Sequence, residues 1–112
     1  MFKRGGIYAV NLAHDGEAPR ETCPCLVVSN NISNEFSPVV TVIPLLFAER
    51  EKVYEFETLL PSAKTGLDRD ARVSSHIILT IDKSRVVGQR LGFASRGVLE
   101  QVDKALRLQL SL

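Results

Sequence analysis

Cys23-Pro24-Cys25-Leu26-Val27-Val28-Ser29-Asn30, preceded by Arg4-Gly5-Gly6-Ile7-Tyr8, decides how this chain folds. Cys25 to Val28 is continuously apolar, which suits a central strand buried on both faces. Ile7 to Leu12 follows a glycine pair and carries Ile, Tyr and Val, so it reads as a second strand. The polar stretch His14 to Thr22, with Gly16 and Pro19, is the loop that joins them. Cys23 and Cys25 flank a single proline. A disulfide between i and i+2 in an extended segment would be badly strained. No second cysteine pair exists to complete a zinc site. Two free thiols are expected, with no metal and no cofactor.

Working outward, Asn30 to Asn34 is turn chemistry with room for one helical turn, because Asn and Ser hydrogen-bond their own backbone. Val39-Val40-Thr41-Val42-Ile43 is the strongest strand signal, and Pro44, which donates no ladder hydrogen bond, should end it or make it an edge. Ala48 to Lys52 is a charged connector. Val53 to Leu59 alternates Val53, Glu55 and Glu57 against Tyr54 and Phe56, which predicts a half-exposed strand with its aromatics inward. Ser62 to Gly66 turns the chain, Arg72 to Ile81 is another strand, and Asp82 to Arg85 is a polar turn. Only the last segment is helical: Val98, Val102, Ala105 and Leu106 fall on one face, with Ser95 as N-cap. Several strands followed by one amphipathic helix give a mainly β, α+β architecture. The form expected is a small, bent antiparallel sheet or partly open barrel with the C-terminal helix packed across it.

The 112 residues suffice for one core, so a single domain over 1–112 is expected. The longest apolar runs are far too short to span a bilayer, and the N-terminus lacks a signal peptide's apolar core, so a cytoplasmic protein is the default. A net charge of +1 exerts no general pull on nucleic acid. Its distribution is uneven. Residues 1–71 hold seven Lys/Arg against ten Asp/Glu, and residues 72–112 hold seven against three. A basic C-terminal part suits a polyanion site or an acidic peptide, and a solvated helix face explains part of the same bias.

The opening pair of strands resembles that of the MazF/PemK family, small endoribonuclease toxins of toxin–antitoxin modules. Their usual wording is R-G-x-[IV]-[YW] followed by R-P-V-L-V-V-S-N. Asn34-Glu35-Phe36-Ser37-Pro38-Val39-Val40-Thr41-Val42 is similar to the family's N-x-x-S-P-T-V-x-V. Gly66 with Asp70 resembles its G-x-x-x-D turn, and Thr80-Ile81-Asp82-Lys83-Ser84-Arg85 its T-I-D-K segment. The resemblance implies RNA cleavage without metal: the ribose 2′-hydroxyl attacks the adjacent phosphate, leaving a 2′,3′-cyclic phosphate and a 5′-hydroxyl. It also implies a homodimer, single-stranded RNA in a groove across the interface, and a cognate antitoxin peptide.

That chemistry needs a base, an acid and a cation or donors for the crowded phosphorane. The family's arginine before the proline and its Thr/Ser at the end of the third strand align with Cys23 and Leu46. A thiol offers one weak donor and no positive charge, and leucine offers nothing polar. Arg20, in the same loop, and His76, which titrates near neutrality, are the catalytic replacements the sequence offers. An exposed arginine beside Glu17 and Glu21, and a structural histidine, are the plainer readings of the same residues. Ser74, Lys83, Arg85 and His14 are the candidates for RNA contact. Solvated strand hydroxyls, strand-end caps that pair with Asp82 and a water-facing loop histidine are the plainer readings of the same residues. Ile77 and Leu79 stand where the family has Gln and Arg. Two other functions stay open. One is a degenerate homologue that binds antitoxin or RNA without cleaving. The other is a toxin like the related CcdB, which poisons gyrase by contact and has a V-I-P-L segment similar to Val42-Ile43-Pro44-Leu45. The chain lacks the Trp-Gly-Ile ending of CcdB.

Overall fold

The structure is a computed structural model and describes residues 2–13, 21–47, 49 and 51–112. Its elements are β1 (Gly6–Val10), β2 (Cys23–Val27), α1 (Asn31–Phe36), β3 (Val39–Leu46), β4 (Glu57–Leu60), β5 (Ala71–Ser74), β6 (Leu79–Asp82), a 3₁₀ turn (Lys83–Arg85), β7 (Val86–Phe93) and α2 (Arg96–Leu110). The strands form one antiparallel sheet in the order β4-β5-β3-β2-β1-β7, with β6 also on β3. It is the open, bent sheet with a C-terminal helix that the sequence predicts.

Antiparallel partners share a face, so the register sorts the core into two layers. Ile7, Leu26, Ile43, Leu45, Leu60, Ala71 and Val73 form one layer with Val102 of α2, and Val98, Leu99 and Leu106 pack against it. Complete burial of a side chain such as Val102 stabilises by about 1.5–3 kcal/mol. The helix begins where the sequence places it: Ser95 caps it, its hydroxyl accepting from the Val98 amide at 3.3 Å. The other layer holds Tyr8, Val10, Cys25, Val27, Val40 and Val42, with Cys23, Leu79 and Ile81 beside them. Among the described residues α2 packs on the first layer and not on this second face. We call it the concave face.

Three segments depart from the sequence reading. β3 runs through Pro44 to Leu46. The Thr41 carbonyl accepts from Val28 of the β2 side, so by alternation Pro44 turns its donorless nitrogen to the opposite edge. There β6 has stopped at Val42 and β5 has not begun before Leu45. The missing donor therefore falls in a gap. Second, Val53 to Phe56 is not strand, and its aromatics are not inward. Tyr54 is exposed and stacked on Phe56, while Glu57 is the buried residue. Third, the strand expected over Arg72 to Ile81 is two strands on one partner. From Val42 to Leu45, β3 advances three residues while its partner steps back six, from Leu79 to Val73. Three extra residues thus loop out around His76, a larger irregular bulge.

The same device recurs on β7, a strand the sequence reading left out. From Ile7 to Ala9, β1 advances two residues while β7 steps back five, from Gly92 to Val87. Gly88 turns this second bulge with φ of +75°. Among the described residues no helix is long and apolar enough to cross a membrane.

Candidate active site

Val10 pairs with Cys23, and Leu46 pairs with Arg72, which pairs with Leu59. The last β2–β3 pair sets Cys25 opposite Pro44. By alternation Val10, Cys23, Leu46, Arg72 and Leu59 all lie on the concave face, with Cys23 and Leu46 each two residues beyond the last β2–β3 pair. Cys23 is half-buried and Leu46 is 37% exposed. Neither has retreated into the core. The floor of the groove is sulfur and hydrocarbon.

The two thiols lie on the same face of β2. Cys25 is fully buried, and its Sγ lies 3.5 Å from the Cys23 carbonyl. A hydrogen bond from Cys25 lowers the Cys23 thiol to about 7, helped by the Leu45 backbone and opposed by partial burial. The same contact and burial push Cys25 up. Cys23 is therefore more acidic than an ordinary thiol, and in either protonation state it brings no positive charge to this face.

The guanidinium among these residues is turned away. Arg72 is 5% exposed and lies 3.8 Å from the Glu57 carboxylate, itself 6% exposed. It also donates to the Lys52 carbonyl, and Glu57 accepts from the Tyr54 amide at 3.2 Å. Ser74 donates to the same carboxylate at 3.4 Å. The Lys52–Phe56 segment is thus pinned over this end of the sheet by a buried ion pair. Buried charges persist only when paired and hydrogen-bonded, and here they are. The sequence reading missed this pair by facing Glu57 outward. Its signal was a lone carboxylate and a lone arginine at strand positions that alternate with apolar ones.

The residues singled out from sequence fall in different places. His14 and Arg20 lie outside the described residues. His76 is exposed on the β5–β6 bulge, its ring edge-on to Phe56 at 4.4 Å. Ser74 is a correction: at 0% exposure, with its hydroxyl on Glu57, it presents nothing to an RNA strand. Lys83 donates to the Asn34 carbonyl and Arg85 to the Ala13 carbonyl, so both cations brace loops. Arg85 also lines a cleft of about 410 Å3 with Leu12, Leu79, Thr80 and Asp82. Asp82 caps the 3₁₀ turn, accepting from the Ser84 amide at 2.8 Å. That bond, then the Ser84 hydroxyl and the Arg85 charge, hold its carboxyl below the usual range. Ile77 and Leu79 are half-buried. Residues sequence reasoning did not single out, Arg90 and Phe93, stand on and after the β7 bulge. An arginine three residues before an aromatic was the available signal.

An open antiparallel sheet with one C-terminal helix defines a small, mainly β fold. The family described as "PemK-like, MazF-like toxin of type II toxin-antitoxin system" matches residues 3–110, and the chain belongs to it. It is 35% identical over 119 residues to Endoribonuclease MazF9 of Mycobacterium tuberculosis, covering 100% of this chain and 98% of that protein. It is 28% identical over 113 residues to Endoribonuclease EndoA of Bacillus subtilis, covering 100% and 97%. Among solved structures, a mycobacterial endoribonuclease in complex with its cognate antitoxin superposes with a TM-score of 0.78 at 23% identity, covering 100% of this chain and 97% of that one. A MazE–MazF complex from Deinococcus radiodurans superposes with 0.75 at 24% identity, covering 98% and 96%.

Proposed function

We propose that this chain acts as one toxin domain over residues 1–112 that binds single-stranded RNA on its concave face. In this reading it cleaves the RNA slowly, without metal, to a 2′,3′-cyclic phosphate and a 5′-hydroxyl. Full-length membership of the family supports the activity, and the curated relatives are named endoribonucleases. The observation that carries the qualifier "slowly" is the pair of positions Cys23 and Leu46. They lie on the open concave face and lack both the guanidinium and the hydroxyl. Losing one well-placed donor costs about 10²–10³ in rate. His76, at the rim, is assigned the acid–base role, and Arg20 the role of the cation. A homodimer in the cytoplasm, held in check by an antitoxin peptide, completes the proposal. Antitoxin-bound structures of relatives support that partner.

A second reading is a homologue that binds RNA or antitoxin but no longer cleaves. Leu46 favours it, because it presents exposed hydrocarbon where a polar group is needed. Purified protein incubated with long mixed-sequence RNA in EDTA separates the two. Discrete fragments with cyclic phosphate ends, lost in His76→Ala, support cleavage. Intact RNA at high protein concentration without growth arrest on expression supports the non-cleaving homologue. Intact RNA with growth arrest points to a protein target.

A further inference from the structure

The β7 bulge frames a second cleft on the concave face, of about 540 Å3, lined by Phe2, Tyr8, Gly88, Gln89 and Arg90. We propose that this cleft, with Phe93 at its edge, is a nucleotide subsite for RNA flanking the cleavage position, with Arg90 taking a phosphate and the exposed Phe93 ring stacking a base. The proposal rests on the RNA-binding reading above and adds where the strand continues beyond Cys23 and Leu46.

Four observations carry it. The first is position. Tyr8 pairs with Cys25 on the same face on which Val10 pairs with Cys23. Tyr8 and Cys23 are diagonal neighbours, about 7–8 Å apart at Cα. A strand of RNA leaving Cys23 reaches the cleft within one nucleotide. The second is composition. Rings and cations alternate: Lys83 lies 5.7 Å from the Phe2 ring, Phe2 packs edge-on to Tyr8 at 5.0 Å, and Arg90 lies 5.6 Å from the Phe93 ring. None of the lining residues is acidic. Aromatic faces with interleaved cations are what unpaired nucleotides bind.

The third is how the floor is kept open. A Cβ on Gly6 would lie 2.8 Å from the Tyr8 ring and 3.4 Å from the Arg90 side chain. The Tyr8 ring, with the Lys3 carbonyl 3.1 Å away, leaves no room for a Cβ there, whereas the Arg90 side chain is at ordinary contact distance. The fourth is exposure. Phe93 is 44% exposed, a large apolar ring in the open beside a guanidinium. A flat ring of that kind suits stacking more than it suits a monomer's surface. An acidic peptide shares the charge requirement but has no use for a stacking plane, so RNA is the better occupant.

The test is fluorescence anisotropy with a labelled 2′-O-methyl octaribonucleotide, which lacks the hydroxyl nucleophile and stays intact. Arg90→Ala is expected to weaken binding about tenfold, uniformly across sequences. The slope of log affinity against log salt should fall by about 0.7. Arg90→Lys should keep the slope. Replacing successive nucleotides by abasic spacers should weaken binding to the natural chain about tenfold at one position, and should have little further effect in Phe93→Leu. Arg96→Ala, on the exposed start of α2, is the charge control. If the natural chain binds RNA and Arg90→Ala binds as tightly with the same slope, the subsite is wrong and the RNA-binding reading survives. If the natural chain binds no RNA, both fall. A Glu-rich twelve-residue peptide bound through Arg90, with RNA affinity unmoved by the substitution, also overturns the subsite.

Discussion

The concave face has two kinds of surface, and they differ in how the backbone presents them. Along β2 and β3 the register is regular, and the concave positions around Cys23 and Leu46 are apolar apart from Arg72, which is buried under the Lys52–Phe56 segment. At the two places where the sheet breaks register, three extra residues bulge out. His76 stands on one bulge and Arg90 on the other. A regular ladder packs its side chains against neighbours, and burial there favours hydrocarbon. A bulge lifts residues out of that packing and re-aims them at solvent. Polar chemistry has left the flat centre of this sheet and remains at its irregular flanks.

The largest effect should come from the centre. Arg72→Met removes the guanidinium 3.8 Å from the buried Glu57 carboxylate, and is expected to cost about 3–5 kcal/mol by urea unfolding. Adding Glu57→Leu should restore most of that loss, as replacing a buried pair by hydrocarbon of similar size commonly does. An Arg72→Met chain that unfolds normally yet loses all cleavage would move Arg72 from scaffold to reaction, and the contrast between centre and flanks would fail. Next comes the flank. A Cβ on Gly88 meets no atom within 4 Å, so Gly88→Ala tests conformation alone. Its φ of +75° implies a cost of about 1–2 kcal/mol, read in the same unfolding assay. A neutral result would mean that the bulge has another backbone solution. The smallest effect concerns the thiols and needs no mutation. Iodoacetamide should label Cys23 with a half-maximal rate near pH 7, the rate rising with pH as the thiolate forms, while Cys25 stays silent. Equal labelling of both would mean that the Cys23–Cys25 contact does not hold in solution.

Much of this fold was legible in the residues. The apolar run from Cys25, the strand from Val39 and the stripe Val98–Val102–Ala105–Leu106 each have a period that burial enforces. Ser95 announced the start of α2. What stayed hidden depends on register. Val86 to Phe93 alternates poorly because a bulge interrupts it, and Pro44 reads as a stop until one sees that its nitrogen faces a gap. Glu57 and Arg72 were invisible as a pair because each reads as a solvated strand residue until β4 and β5 are set side by side. For the site, Cys23 and Leu46 were read as aligning with the family's catalytic positions, and strand alternation sets both on one face. Ser74 was misread: alternation places it on the concave face, but the segment lying over that face closes it off.

In the proposed reading the concave face still binds RNA, although Cys23 and Leu46 supply neither the guanidinium nor the hydroxyl that the reaction needs. The direct test is the rate of RNA cleavage by Cys23→Arg/Leu46→Thr against the natural chain, with RNA affinity measured in parallel. Restoring the guanidinium and hydroxyl should raise the rate by at least about 10²-fold with a much smaller change in affinity. A folded double variant that cleaves no faster would contradict the claim and place the chemistry elsewhere on the molecule.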